Sequence, residues 1–290
     1  MGILAVLLVF FTVTEDRFFR VRSITSMAFQ LPEIGMLTLA MMVTIILGGI
    51  NLSINATSNL GAVLAGILMA RAIPEGASHG QIMLFIGLAF LIFIAVGVLT
   101  GILNGLLVGQ IGVPPILATL GTASVYTGIS TGLTEGRTVT GFPPEVQILG
   151  SETLLGIPLP FVVFVVFAIV TYVLLNHTAF GFKMRMVGTN PAASNFSGIN
   201  NKSVITRTYI YSGLLSAVAG MIVMSRTASA AYEYGSKTYV LSTILIAVLA
   251  GLQQGFGNVL NIFLSVIILQ VLSTGSHMLL RGVRGSSFFK

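Results

Sequence analysis

The groups in this chain that could do chemistry are mostly amides and hydroxyls. Asn51, Ser53, Asn55, Ser58 and Asn59 crowd together, Asn104 stands among glycines, and Asn258 and Asn261 follow a second glycine-rich stretch. All lie within or beside apolar runs. Uncharged polar groups withdrawn from water need partners, either one another across helices or a polar solute in passage. Hydroxyl-rich neutral solutes such as sugars suit this inventory, whereas ions would call for charges or rings of carbonyls. Both uses of the amides, interhelical bonding and solute contact, stay open at this point.

Other chemistries lack their parts. The chain has no cysteine, which removes disulfides, thiolate-ligated metals and thiol nucleophiles together. His79, His177 and His277 fall at span ends or in loops without helical metal spacing, and no catalytic constellation can be assembled. Gly235-Ser236-Lys237-Thr238 lacks the order of a phosphate-cradling loop, so this chain is not expected to bind ATP or any other cofactor itself. No ionisable residue is expected at membrane depth inside a confident span, which argues against a proton-coupled carrier. The chain reads as a non-enzyme.

The elements that carry these groups are membrane spans. Of 290 residues, 55% are hydrophobic and 8% charged, where a soluble domain carries about 25% charged residues. Mean hydropathy is +0.99. The net charge of +6 fits basic cytoplasmic loops rather than nucleic acid. A span needs about 20 apolar residues. Spans fall near residues 3–13, 32–50, 54–70, 82–109, 113–131, 160–176, 208–225, 239–252 and 256–280, about nine in all. Residues 3–13 lack the basic flank of a signal peptide and read as a first span.

Two interruptions stand out. Gly48-Gly49-Ile50-Asn51 and residues 252–257 break apolar runs without a charged loop. Such breaks mark unwound backbone at a transport pathway, or tight re-entrant turns. Gly97, Gly101, Gly105 and Gly109, and Gly213 with Ser216, Ala217 and Gly220, form small-residue stripes for close helix packing. In residues 132–159, Glu135, Glu145 and Glu152 outnumber Arg137; residues 177–207 hold Lys183, Arg185, Lys202 and Arg207 with no acid. The positive-inside rule places 177–207 in the cytoplasm and 132–159 outside. Counting spans puts Arg17, Arg20 and Arg22 outside, against that rule. The Asn-x-Ser/Thr sequons at Asn51, Asn55, Asn176 and Asn201 read as accidental.

Several motifs in order resemble one family. Gly48-Gly49-Ile50-Asn51-Leu52-Ser53 is similar to the GGIDLS signature of permease subunits of bacterial ABC (ATP-binding-cassette) sugar importers of the ribose/xylose/galactose/autoinducer-2 group. The stretch from Gly101 through Asn104, Gly105 and Val108 to Pro114, Thr119, Gly121 and Thr122 resembles its "G.LNG.LV…P.FI.TLGT" segment, and Gly136 to Pro143 its next external loop. Phe180-Gly181, then Gly188, Asn190, Ala192, Ala193, Ser197, Gly198 and Ile199, resemble its "G.N..AA..SGI" segment, which Tyr211 to Gly220 continues. The match runs from about residue 32 to 275. Three departures stand against it: Asn51 replaces the signature Asp, 251–257 is shorter in paired glycines, and the chain ends before a final apolar span, as a truncated one would.

The resemblance implies an all-α, polytopic transmembrane helical bundle with short or broken helices, type II ABC importer-like, forming one permease domain over residues 1–290. It implies a multi-pass protein of the bacterial cytoplasmic (inner) membrane with three kinds of protein partner. These are cytoplasmic ATPase subunits carrying ATP and Mg, a second permease subunit, and an extracytoplasmic sugar-binding protein. Gly49, Asn51, Ser53, Asn55, Asn104 and Thr119 would line the substrate pathway, and movement would proceed by alternating access. Residues 177–207 would be the coupling loop docking on the ATPase through Gly188, Asn190, Ala192, Ala193, Ser197 and Gly198, with Pro191 opening a short helix. Bulky residues at Gly188 or Gly198 are expected to uncouple transport without preventing membrane insertion. A facilitator or secondary carrier independent of ATP, and a branched-chain amino acid permease, are the rival readings.

Overall fold

The computed structural model describes residues 2–15, 18–74, 76–235 and 238–285. Each of the nine apolar segments forms one helix: α1 (Gly2–Thr14), α2 (Val21–Leu47), α3 (Ile54–Ala72), α4 (His79–Leu106), α5 (Pro115–Thr134), α7 (Leu159–His177), α10 (Asn201–Thr227), α11 (Tyr239–Leu249) and α12 (Val259–Gly285). Three shorter helices, α6 (Ile148–Ser151), α8 (Ala179–Thr189) and α9 (Pro191–Phe196), lie in the connections. A two-residue hairpin pairs Thr153–Leu154 with Ile157–Pro158. Among the described residues, five helices are long and apolar enough to cross a bilayer. α3 and α5, at 19 and 20 residues, match α7 in length but are diluted by Asn, Ser, Thr and Gly.

Burial sorts the spans into two kinds. The most apolar windows of α2 and α10 are 83% and 72% buried within the protein, whereas those of α4 and α7 are 22% and 28% buried. α2 and α10 therefore form the centre. Leu84, Leu91 and Leu99 of α4 and Val166 and Ile169 of α7 face outward. An apolar surface this large is not stable against water and suits hydrocarbon.

Glycine sets the distance between centre and periphery. A Cβ at Gly97 would meet the Gly213 carbonyl oxygen at 2.7 Å, one at Gly101 the Tyr209 carbonyl oxygen at 2.6 Å, and one at Gly105 the Thr206 Cα at 2.7 Å. The four-residue stripe thus lies along α10, and backbone meets backbone. Without a hydrophobic effect between helices in lipid, such close approach is what holds them together.

The chain direction gives the bundle two ends. α8, α9 and the start of α10 form a basic end, with Lys183, Arg185, Lys202 and Arg207. The opposite end carries residues 132–159 and the turn from Ala228 to Gly235, joined by the Val139–Ala230 bridge. The last turn of α2 reaches the basic end at Gly188, so its start, with Arg20 and Arg22, lies at the opposite end. Those two arginines thus lie at the end opposite residues 177–207, as span counting expects; Arg17 is outside the described residues.

Candidate functional site

The two interruptions meet in space. Gly48, Gly49 and Ile50 of the first break, Leu252, Gln253 and Gln254 of the second, and Pro114–Ile116 at the start of α5 line one groove of about 420 Å³. Ile244, Ala247 and Val248 of α11 complete its wall. Gly48 sits at φ +103° and caps α2 through its amide on the Ile45 carbonyl, so the helix stops there and the chain turns into the groove. Pro114 and Pro115 end the stretch after the Gly112 turn and open α5.

Behind the groove the polar side chains bond one another. The Asn51 Nδ2 donates to Ser212 Oγ at 3.0 Å, and its Oδ1 accepts from the Ser53 amide at 3.0 Å and hydroxyl at 2.7 Å. Asn104 Nδ2 donates to Ser53 Oγ at 2.8 Å, and its Oδ1 accepts from Thr122 Oγ1 at 2.6 Å. Thr119 Oγ1 accepts the Leu52 amide at 3.0 Å and reaches the Ile50 carbonyl at 3.1 Å. It braces the two backbone groups that the break leaves without helical partners. Asn51, Ser53, Asn104 and Thr119 are all buried. The structure thus joins four of the expected pathway residues, but as an interhelical network. Only Gly49 of the six lines the groove.

The network also accounts for Asn at position 51. The Ser212 hydroxyl donates to the Ala40 carbonyl at 2.8 Å, so its oxygen has only acceptor capacity left for Asn51. An amide supplies that N–H and an ionised carboxylate does not. Asn55 serves elsewhere. With Asn59 it donates to the Tyr234 carbonyl, and Asn59 also donates to the Tyr232 carbonyl, each bond at 3.0 Å. Together they pin the turn after α10.

One group was missed in the sequence. Glu33 lies inside α2 and is 2% exposed, which corrects the expectation of no ionisable residue at depth in a span. It forms an ion pair with Arg226 of α10 and accepts the Tyr239 hydroxyl at 2.6 Å. The Arg226 guanidinium also donates to the Tyr234 hydroxyl at 3.2 Å. The partners lie about 200 positions apart, so no local pattern joins them. A lone acid within an apolar run was the available signal.

At the basic end the expected coupling residues divide. The Asn190 side chain accepts the Ala193 amide at 3.0 Å, and Pro191 opens α9 behind it. The Ser194 hydroxyl and Asn201 amide fasten α9 to the start of α10. Ala192, Ala193, Ser197 and Gly198 are exposed on this small protrusion, and Phe196, not singled out by sequence, is 94% exposed. Gly188 is buried instead. A Cβ there would overlap the Ile46 carbonyl oxygen, so a bulky residue would disturb the packing of α8 on α2. Loss of transport in a bulky Gly188 variant would therefore report on this packing as well as on coupling.

α8 touches both breaks. The Gly255 amide donates to the Ile46 carbonyl at 2.8 Å, and a Cβ at Gly255 would overlap Thr189 Oγ1 of α8. Arg185 donates to the Gly257 carbonyl at 3.1 Å and to Asn176 Oδ1 at 3.0 Å. The groove and the protrusion are therefore joined by a few backbone contacts.

Comparison with known proteins agrees with this architecture. The chain is similar to a ribose import permease protein of Bacillus subtilis, with 32% identity covering 99% of this chain and 85% of the relative. It is similar to an autoinducer 2 import system permease protein of Yersinia enterocolitica (28%; 85% and 73%). It also resembles a galactofuranose transporter permease protein of Escherichia coli (31%; 83% and 68%). No solved structure matches it. Residues 23–287 match the family described as branched-chain amino acid transport system, permease component. Five helices long and apolar enough to cross a bilayer, among the described residues, and a match over most of its length place this chain in that permease family, as a multi-pass membrane protein.

Proposed function

We propose that the chain is the transmembrane subunit of an ABC importer for a sugar or sugar-like solute, in the bacterial inner membrane. The observation that carries this reading is α9, an exposed protrusion bearing Phe196 and attached through α8 to both breaks at the groove. A bare phenylalanine at a basic, polar end is a docking anchor of the kind that dominates protein interfaces. Its partner would be a cytoplasmic ATPase that carries ATP and Mg. A second permease subunit would close the groove into a pathway, and an extracytoplasmic binding protein would deliver the solute.

In this reading ATP-driven closure of the ATPases moves α9 and α8. Gly188 against Ile46, and Arg185 on the Gly257 carbonyl, pass the displacement to the two breaks, and the groove changes the side on which it opens. Asn51, Ser53, Asn104 and Thr119 hold the first break in shape rather than touch the solute. Sugars are favoured over branched-chain amino acids because ribose and galactofuranose appear in the names of relatives.

The test uses the absence of native cysteine. Ala192→Cys, crosslinked in native membranes with a thiol-to-amine reagent, should yield a discrete, ATP-sensitive adduct with a nucleotide-binding polypeptide. Cytoplasmic labelling without any such adduct, in cells importing the solute, would favour an ATP-independent facilitator.

A further inference from the structure

The Glu33 cluster is not used by the coupling route above, yet it holds the far end of a helix that lines the groove. α11 has 11 residues and is about 16 Å long. At its groove end, Ala247 and Val248 form the wall, and the turn that follows is tied to α2 and α8 through Gly255 and Gly257. At its other end Tyr239 donates to Glu33 Oε2 at 2.6 Å.

The two carboxylate oxygens have separate duties. Oε1 takes the Arg226 guanidinium and Oε2 takes the Tyr239 hydroxyl. Arg226 is a fixed post. A Cβ at Gly150 of α6 would overlap its backbone nitrogen, and the neighbouring Ser225 hydroxyl donates to the Val146 carbonyl at 2.5 Å. α2 is buried on nearly every side from Leu31 onward. α11 packs on the core through Thr243, Ile246 and Ala247, and among the described residues its polar tie to α2 is the Tyr239–Glu33 bond. The Tyr234 ring meets that of Tyr239 edge-on at 5.9 Å, a contact that tolerates rotation.

We propose that the Glu33 carboxylate, held by Arg226, is the pivot on which α11 turns, with the Tyr239 hydroxyl as the bearing. Tyr239 and Glu33 are then positioning residues for alternating access: they convert a push from α8 into rotation of the groove wall rather than sliding of the whole helix. This inference rests on the importer reading, and its test separates the two.

Val248 is 71% exposed on the groove side, and Val248→Cys provides one reactive thiol. Its labelling rate is read in inverted membrane vesicles with and without ATP, together with solute moved per ATP hydrolysed. With native Tyr239 the rate changes with ATP. Tyr239→Phe removes one hydroxyl and leaves the Glu33–Arg226 pair intact. It should retain yield and the Ala192→Cys adduct, with a lowered thermal midpoint, while losing the ATP-dependent change and transporting less per ATP. Tyr234→Phe, which removes a hydroxyl from the same cluster but none from the Glu33–α11 link, should behave as the native chain. An undiminished response in Tyr239→Phe overturns the pivot alone, as does equal loss in Tyr234→Phe. No ATP response with native Tyr239, and no adduct, overturns the importer reading and the pivot with it.

Discussion

Whether Asn104 touches its neighbours or a solute can be measured as a coupling energy. Its amide makes two side-chain bonds, to Ser53 Oγ at 2.8 Å and from Thr122 Oγ1 at 2.6 Å. Interhelical hydrogen bonds in membranes average about 0.6 kcal/mol and reach about 1.7. Truncation also leaves a small void, worth about 1 kcal/mol. Asn104→Ala should therefore cost about 2–3 kcal/mol. No group is orphaned by it: Ser53 Oγ still donates to Asn51 at 2.7 Å and Thr122 Oγ1 still reaches the Thr119 carbonyl at 3.2 Å. Thr122→Val should cost about 1 kcal/mol, and the double variant less than the sum by about 0.6–1.7. Reversible unfolding in mixed micelles gives all four corners of the cycle, and uptake kinetics give KM for each. A coupling energy near zero, joined to a large rise in KM, would refute the network and return Asn104 to the solute.

Three further outcomes follow from the same contacts. Asn51→Asp, which restores the residue of the resembling signature, loses the N–H donated to Ser212 and should destabilise the protein by about 1–3 kcal/mol, read by the same unfolding assay. Gly101→Leu should prevent α4 from seating on α10 and abolish a cooperative unfolding transition, whereas Gly121→Ala, with nothing within 4 Å, should leave it unchanged. Phe196→Ala should change stability by no more than about 0.5 kcal/mol yet weaken ATPase capture by about tenfold or more, measured by co-purification from native membranes.

The regular parts of the fold were legible because they depend on local composition. Each apolar run became a helix, and the Gly97–Gly109 stripe announced a close neighbour before that neighbour was known to be α10. The breaks at Gly48–Asn51 and at residues 252–257 were visible as glycine without charge. The polar groups were visible as residues but not as partners. Whether Asn51 faces Ser212 or a solute depends on how α2, α3 and α10 are rotated against one another, 161 positions apart in this bond. Glu33 was lost for the same reason: only the packed bundle brings Arg226 to it. Phe196 sits at an unspecified position within the motif, and a lone aromatic carries no sign of its exposure.

The bond between the Gly255 amide and the Ile46 carbonyl also bears on how the chain is made. Ile46 lies in the last turn of α2, where carbonyls have no partner within the helix, and this one is completed by a residue about 200 positions downstream. At ~5–20 residues per second of synthesis, that interval lasts roughly 10–40 s. Throughout it the Ile46 carbonyl lacks this partner. A helix at the centre of the bundle is thus made well before the residue that completes it.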